Sequence, residues 1–303
     1  MSGINTNRSN ITLPAEVSAE ILQKTQGQSA IMQLARHIAL PGRGLSIPMI
    51  TSDPEAGWVA ETGQKPVSNP GLSTKTMTPH KLAVIVPFSN EFARDAQALY
   101  DELVKRLPAA LAKKFDATVF GGTAPGSGFD VLSSCTAQSI DTNASGQGGF
   151  YSALVGADID IASGGYDLNG FAMSPQARGE MLSALDKDGR PIFINNVAEG
   201  AIPRLIGQPV VYSKGLYAAG HAASGSSVPA VPDLIGVAGD WTQAIYGTVE
   251  GVKIDVSDQA TLTISSSAVN LWERNMFAVR AEIEIGFVAD TYAFNRIVRT
   301  HSA

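Results

Sequence analysis

From Val279 to Phe287 the chain alternates with a period of two: Val279, Ala281, Ile283, Ile285 and Phe287 fall on one side, and Arg280, Glu282 and Glu284 on the other. A β-strand sends successive side chains to opposite faces, so this segment is a half-buried strand. One face belongs to a core, and the other is free for water or partners. A second periodicity lies upstream. Leu99, Leu103, Leu107, Leu111 and Phe115 recur every four residues, which draws one slowly drifting stripe along a helix running to Phe120. Ser89 or Asn90 can cap that helix, Glu91 falls in its first turn, and Gly121-Gly122 stops it. Pro108 removes one helical hydrogen bond, so the helix is expected to bend near Val104 or to break into two helices that meet at Pro108.

Pro14 to Ala39 shows helical spacing in Val17, Ile21 and Leu22, then in Ile31, Leu34 and Ile38, interrupted at Gly27. This predicts an arm with one or two short helices. Leu45–Ile50 and Met77–Val86 read as two strands separated by a stretch rich in Gly, Pro, Ser, Thr and Asn. An isolated hairpin of this kind is only marginally stable in water, so it must lie on something else. Residues 123–245 are glycine-rich, with apolar bursts at Phe193-Ile194 and Val210-Val211 and a helix expected from Pro175 to Leu185. They predict a compact mixed α/β domain inserted between the helix and the final strands.

The 303 residues are enough for roughly two domains. Charged residues make up 17% of the chain, below the usual ~25%, and such a surface suits contact with copies of itself. The net charge of -6 gives no bulk basic field for binding nucleic acid by counterion release. Cys135 is the single cysteine, which excludes an intramolecular disulfide and a multi-thiolate metal site, and it reads as a small buried thiol. Met1-Ser2-Gly3-Ile4-Asn5-Thr6-Asn7 lacks the parts of a signal peptide, and the longest apolar run, Leu82 to Phe88, is too short for a bilayer of ~30 Å. A cytoplasmic protein with no membrane contact is expected.

Gly239-Asp240-Trp241-Thr242-Gln243-Ala244-Ile245-Tyr246-Gly247 leads, after a polar interval, into Asn270-Leu271-Trp272-Glu273-Arg274-Asn275-Met276 and the alternating strand. That order resembles the closing signature of tailed-phage major capsid proteins with the Hong Kong 97 fold. Trp58-Val59-Ala60-Glu61 ahead of Lys65-Pro66, the helix ending in Phe115-Asp116-Ala117, and the inserted domain extend the resemblance over nearly the whole chain. It implies an α+β fold with an N-terminal arm at 1–44, an extended E-loop hairpin at 45–87 and a mixed α/β A-domain at 123–245. It also implies a P-domain made of a spine helix at 88–122 and of return strands and C-terminus at 246–303. The function implied is self-assembly as hexamers and pentamers into the icosahedral head of a virion, around double-stranded DNA held without sequence-specific binding. Assembly in the host cytoplasm, a portal and decoration proteins belong to the same expectation. The chain starts directly at the arm, without the helical segment that some relatives use as an internal scaffold, so a separate scaffolding protein, or none, is expected.

In crosslinking members of that family an E-loop lysine attacks the side-chain amide of an asparagine on a neighbour, helped by a glutamate, and ammonia leaves. By resemblance Lys65, Asn275 and Glu282 stand at the matching positions. A desolvated carboxylate can take and return the proton. Each residue also has a plain reading: Lys65 pairing with an acid across an interface, Asn275 capping the strand, Glu282 exposed on it.

Other chemistry finds little support. Gly121-Gly122-Thr123-Ala124-Pro125-Gly126-Ser127-Gly128 has no lysine for a phosphate loop, and His37, His80, His221 and His301 include no pair at metal-ligand spacing. Gly44-Leu45-Ser46-Ile47-Pro48 lacks the final glycine of a nucleophile elbow, and Asp186-Lys187-Asp188-Gly189 abandons calcium-loop spacing at Arg190-Pro191. No cofactor and no metal are expected. Two alternatives stand beside the phage head: an encapsulin-like compartment shell of the same fold holding protein cargo, and a soluble α/β hydrolytic enzyme.

Overall fold

The computed structural model describes residues 23–52, 56–59, 64–65, 67, 71–90, 96–141, 149–184, 188, 192–193, 204–223, 229–264 and 267–300. A helical segment over 23–28 and helix α1 (Ala30–Leu34) lead into strand β1 (Arg36–Ala39). The break between the helical pieces falls at Ser29 instead of Gly27, because the Ser29 hydroxyl accepts the Met32 N–H and caps a new helix. Ile38, expected on the helical stripe, lies in β1. In chain order there follow β2 (Leu45–Ser52), β3 (Gly71–Met77), β4 (His80–Ser89), helix α2 (Ala96–Gly121), β5 (Thr136–Ser139), helix α3 (Phe150–Ser163), β6 (Gly170–Met173), helix α4 (Pro175–Ser183), β7 (Arg204–Leu205) and β8 (Gln208–Tyr212). The last third holds β9 (Asp233–Gly239), β10 (Ala244–Thr248), β11 (Lys253–Ser257), β12 (Thr261–Ile264), β13 (Ser267–Asn270), β14 (Met276–Ala289) and β15 (Phe294–Arg299).

β14, the alternating segment, is the backbone of the first sheet. Along one edge it pairs with β10 over Ile285–Ala289 and with β11 over Ala278–Glu282, and along the other with β4 over Met276–Ile285. The strand expected over Met77–Val86 is two strands, broken at Thr78-Pro79, since proline has no N–H for a ladder. β3 turns back onto β2, whereas β4 joins the first sheet. The second sheet runs in the order β5-β15-β9-β6-β8-β7. Within the segment 246–303, β15 therefore does not return to the first sheet; it lies inside the second, paired to β5 and β9.

Helix α2 serves both sheets. Leu107 and Leu111 pack with Phe277, Val279, Ala281 and Ile283 of β14, while Phe115, Val119 and Phe120 join Trp241, Phe287 and Phe294 in the largest core cluster. Each such side chain contributes roughly 1.5–3 kcal/mol on full burial, so the helix is fixed by its stripe and runs unbroken through Pro108. Its start, where a cap by Ser89 or Asn90 is expected, borders residues 91–95, outside the described set.

The Gly239-Asp240-Trp241 motif is the crossover from the second sheet to the first. Gly239 pairs with Phe294, whose ring would lie 2.1 Å from a Cβ, so only glycine allows the approach. Asp240 caps the 3₁₀ turn Trp241–Gln243 by accepting the Thr242 N–H at 3.0 Å, and the Trp241 indole is buried with its N–H on the Gly170 carbonyl. The return crossover uses the same device: Asp290 accepts the Tyr292 N–H and caps Thr291–Ala293 before β15.

Candidate functional site

The polar face of β14 carries a row of charge. Glu282 lies 3.3 Å from the Lys81 ammonium of β4 and 3.5 Å from the Arg280 guanidinium; Lys81 also reaches Glu284 at 3.3 Å, and Arg280 pairs with Asp255 of β11 at 2.7 Å. Cross-strand pairing explains the grouping, since Glu282 stands opposite Lys253 and Glu284 opposite Lys81. Hydrogen bonding to Glu282 and Glu284 holds the Lys81 ammonium above its ordinary pKa, and the Arg280 hydrogen bond holds the Asp255 carboxyl below its own. Lys81, Arg280, Glu282 and Glu284 line a cleft of about 370 Å³ together with Glu250 and Lys253.

Asn275 sits at the head of the same strand in a left-handed conformation, φ 57°, which asparagine tolerates well. It is exposed, and its side-chain oxygen accepts the Asn90 amide at 3.1 Å. That donor polarises the amide carbonyl. Seven residues along an extended strand separate Asn275 from Glu282, about 23 Å. The two do not meet within one chain. Lys65 lies in the connection between β2 and β3 and is exposed, as are Trp58, Val59 and Val67 near it. The base of this hairpin is pinned, because the Lys75 ammonium bonds Asp130 at 2.9 Å and the Ala289 carbonyl at 2.7 Å.

One residue with a structural task the sequence did not disclose is Asp116. It is 0% exposed in the middle of the core, and its carboxylate accepts from the Ser29 hydroxyl at 2.5 Å, the Ala30 and Ile31 N–H groups at 2.9 and 3.5 Å, and the Ser213 hydroxyl. It ties the arm and the β8–β9 connection to α2. Burial, which outweighs these hydrogen bonds, pushes its pKa up. Its donors lie 85 and more residues away in sequence, and the only local signal is a carboxylate next to a stripe residue, Phe115.

Cys135 is buried, and burial pushes its thiol up to about 12. His37 lies tilted against the Tyr246 ring and bonds Thr248, His80 stands against Phe129, and His221 is exposed; His301 is outside the described residues. Among the described residues no group of three His, Cys, Asp or Glu side chains could hold a metal ion, and no helix is long and apolar enough to cross a membrane.

The phage capsid family matches residues 9–296 of the chain. The chain is 28% identical over 290 residues to the probable major capsid protein of Mycobacterium phage L5, covering 91% of this chain and 85% of that one. It is 26% identical over 295 residues to the major capsid protein of Staphylococcus phage 80alpha, covering 95% and 85%. A solved chain from Mycobacterium phage Bobi has the same fold, with a TM-score of 0.70 at 21% identity over 91% of both chains. So does the capsid of a native GTA particle computed with C5 symmetry, with a TM-score of 0.62 at 16% identity over 99% of this chain and 96% of that one.

Proposed function

The chain belongs to the phage capsid family, and from that premise we propose that it is the repeating tile of a tailed-phage head, assembling as hexamers and pentamers around double-stranded DNA in the host cytoplasm. The observation that carries this reading is the extent of the match, which leaves almost no part of the chain for another task. The β2–β3 hairpin supports it: among the described residues its two strands pair only with each other, and Trp58 and Val67 in its connection are exposed. An exposed tryptophan on a hairpin asks for a second subunit to cover it. In this reading the first sheet with α2 is the peripheral domain, the second sheet the axial domain at the capsomer centre, and scaffold, portal and decoration proteins are separate partners. Negative-stain electron microscopy of the expressed chain tests the proposal. Closed shells are expected, and a stable monomer at high concentration would overturn it.

The same reading includes a covalent link between copies. Once deprotonated, the Lys65 amine attacks the Asn275 amide carbon, a C–N bond forms, and the amide nitrogen departs as ammonia after receiving the proton that a carboxylate has taken from the lysine. Glu282 is the proposed carrier. Because Asn275 and Glu282 stand about 23 Å apart along one strand, such a site draws them from different copies. The incoming subunit must also loosen the Lys81 and Arg280 pairs that occupy Glu282.

A further inference from the structure

Two patches on the domain of the second sheet are unlike each other and face outward. The first is the β7–β8 turn. Leu205 pairs with Gln208, so the turn is the two residues Ile206 and Gly207, at φ 49° and 79°. Positive φ at both central positions is the type I′ geometry, which favours Asn-Gly. A β-branched side chain is crowded there. Ile206 is nonetheless the residue present, and it is 44% exposed. Backbone strain and an exposed aliphatic side chain both disfavour isoleucine in the free subunit, and an outlier of this kind points to a task outside it. Arg204 is exposed next to it and makes no ion pair among the described residues.

The second patch is the outer side of α3. Phe150, Leu154, Ala157 and Ile161 turn that helix's inner side into the core. Tyr151, Val155 and Ile159, four residues apart, run down the opposite side, with Tyr151 and Ile159 exposed by 54% and 59%. Asp158 borders this stripe and makes no ion pair among the described residues.

The strand order sets the two patches apart. Helix α3 packs on β5, β15 and β9, while the β7–β8 turn belongs to the opposite edge, roughly 20 Å away at ~4.8 Å per strand. One chain cannot bring them together. Two complementary patches on opposite flanks of a subunit define a head-to-tail contact, which closes into a ring when the rotation per step allows. We propose that Ile206 of one copy seats on the Tyr151–Val155–Ile159 face of the next, with Arg204 meeting Asp158, and that this contact repeats around each capsomer. The proposal rests on the shell reading above and names the surfaces that meet.

The test uses the full chain carrying Ile159→Cys and Ile206→Cys together, treated after assembly with a short bismaleimide. The native thiol of Cys135 is buried and stays silent. Denaturing gels should show linked chains up to closed rings, whereas each single variant should show none. Separately, Ile206→Asn should leave the monomer's thermal midpoint unchanged or raised, because asparagine suits the left-handed position, yet cut shell yield about tenfold or more. Wild-type shells together with an unlinked double variant, or an Ile206→Asn variant that assembles at wild-type yield, overturn the contact and leave the shell reading standing. Links only to an added decoration or scaffold protein also overturn it. If the wild-type chain forms no particles, both fall.

Discussion

Asp240 and Asp290 mirror one another at the junction of the two sheets. The Asp240 N–H donates to the carbonyl of Ala293, the last residue of the turn that Asp290 caps, and the Asp290 N–H donates to Gln243, the last residue of the turn that Asp240 caps. The chain thus crosses between sheets twice through paired turns. Asp240→Ala removes the cap and the bond from Asn169, and should cost about 1–2 kcal/mol in urea unfolding. An unchanged midpoint would count against a stabilising role for the Asp240 side chain at this junction.

Gly247 and Gly286 are cross-strand partners on β10 and β14, and Met77 lies over both. A Cβ on Gly286 would stand 2.7 Å from Met77 Cγ and 3.0 Å from the Thr78 carbonyl oxygen. Gly286→Ala should therefore destabilise by about 1–3 kcal/mol through overpacking. Adding Met77→Ala should cost less than the two changes summed, and strict additivity would refute the contact.

For Asp116 the raised pKa means that the folded chain holds the proton more tightly than the unfolded one. Its contribution to stability is fully present below the ordinary carboxylate value and is lost as pH rises through the raised one. The difference in urea midpoint between wild type and Asp116→Asn should accordingly vary with pH over that window and be flat above it. A difference independent of pH would show that the carboxylate does not titrate there.

Pro108 is buried in α2 between Leu107 and the stripe residue Leu111, and the helix passes through it at a cost of roughly 3 kcal/mol in a regular interior. Pro108→Ala restores the hydrogen bond while losing ring burial, so a net gain on the order of 1 kcal/mol is expected. A lowered thermal midpoint would mean that the ring's packing dominates.

Denaturing electrophoresis of assembled shells reads the proposed covalent link directly. A ladder that collapses to a single band in Lys65→Ala, and again in Glu282→Gln, is the expected result; one band near 31.7 kDa from wild-type shells would remove the proposal.

The sequence was most readable where one periodicity governed. Val279 to Ile285 alternates because a single face of β14 is covered there, whereas Phe287 and Val288 are both buried, since the Met77 side of the hairpin closes over the second face. Ile38 continued the spacing of Ile31 and Leu34, yet pairing of β1 with β10 outweighed helical propensity. At the candidate site, Lys65, Asn275 and Glu282 are proposed on the family resemblance alone. The cations around Glu282 were only partly visible: Arg280 is a near neighbour, but Lys81 arrives from a strand two hundred residues upstream. Asp116 stayed hidden because its partners are remote. Ile206-Gly207 had a local signal in the glycine alone, because nothing in sequence marks an isoleucine as strained.

The placement of β15 bears on timing during synthesis. The six-stranded sheet needs Phe294–Arg299 between β5 and β9, strands made long before it, so that sheet cannot close until translation has passed residue 299. A nascent chain on a ribosome, or one cut short by a premature stop, lacks an interior strand and presents two unmatched edges. A polypeptide ending before Phe294 therefore cannot complete the six-stranded sheet, whatever else of the fold it has formed.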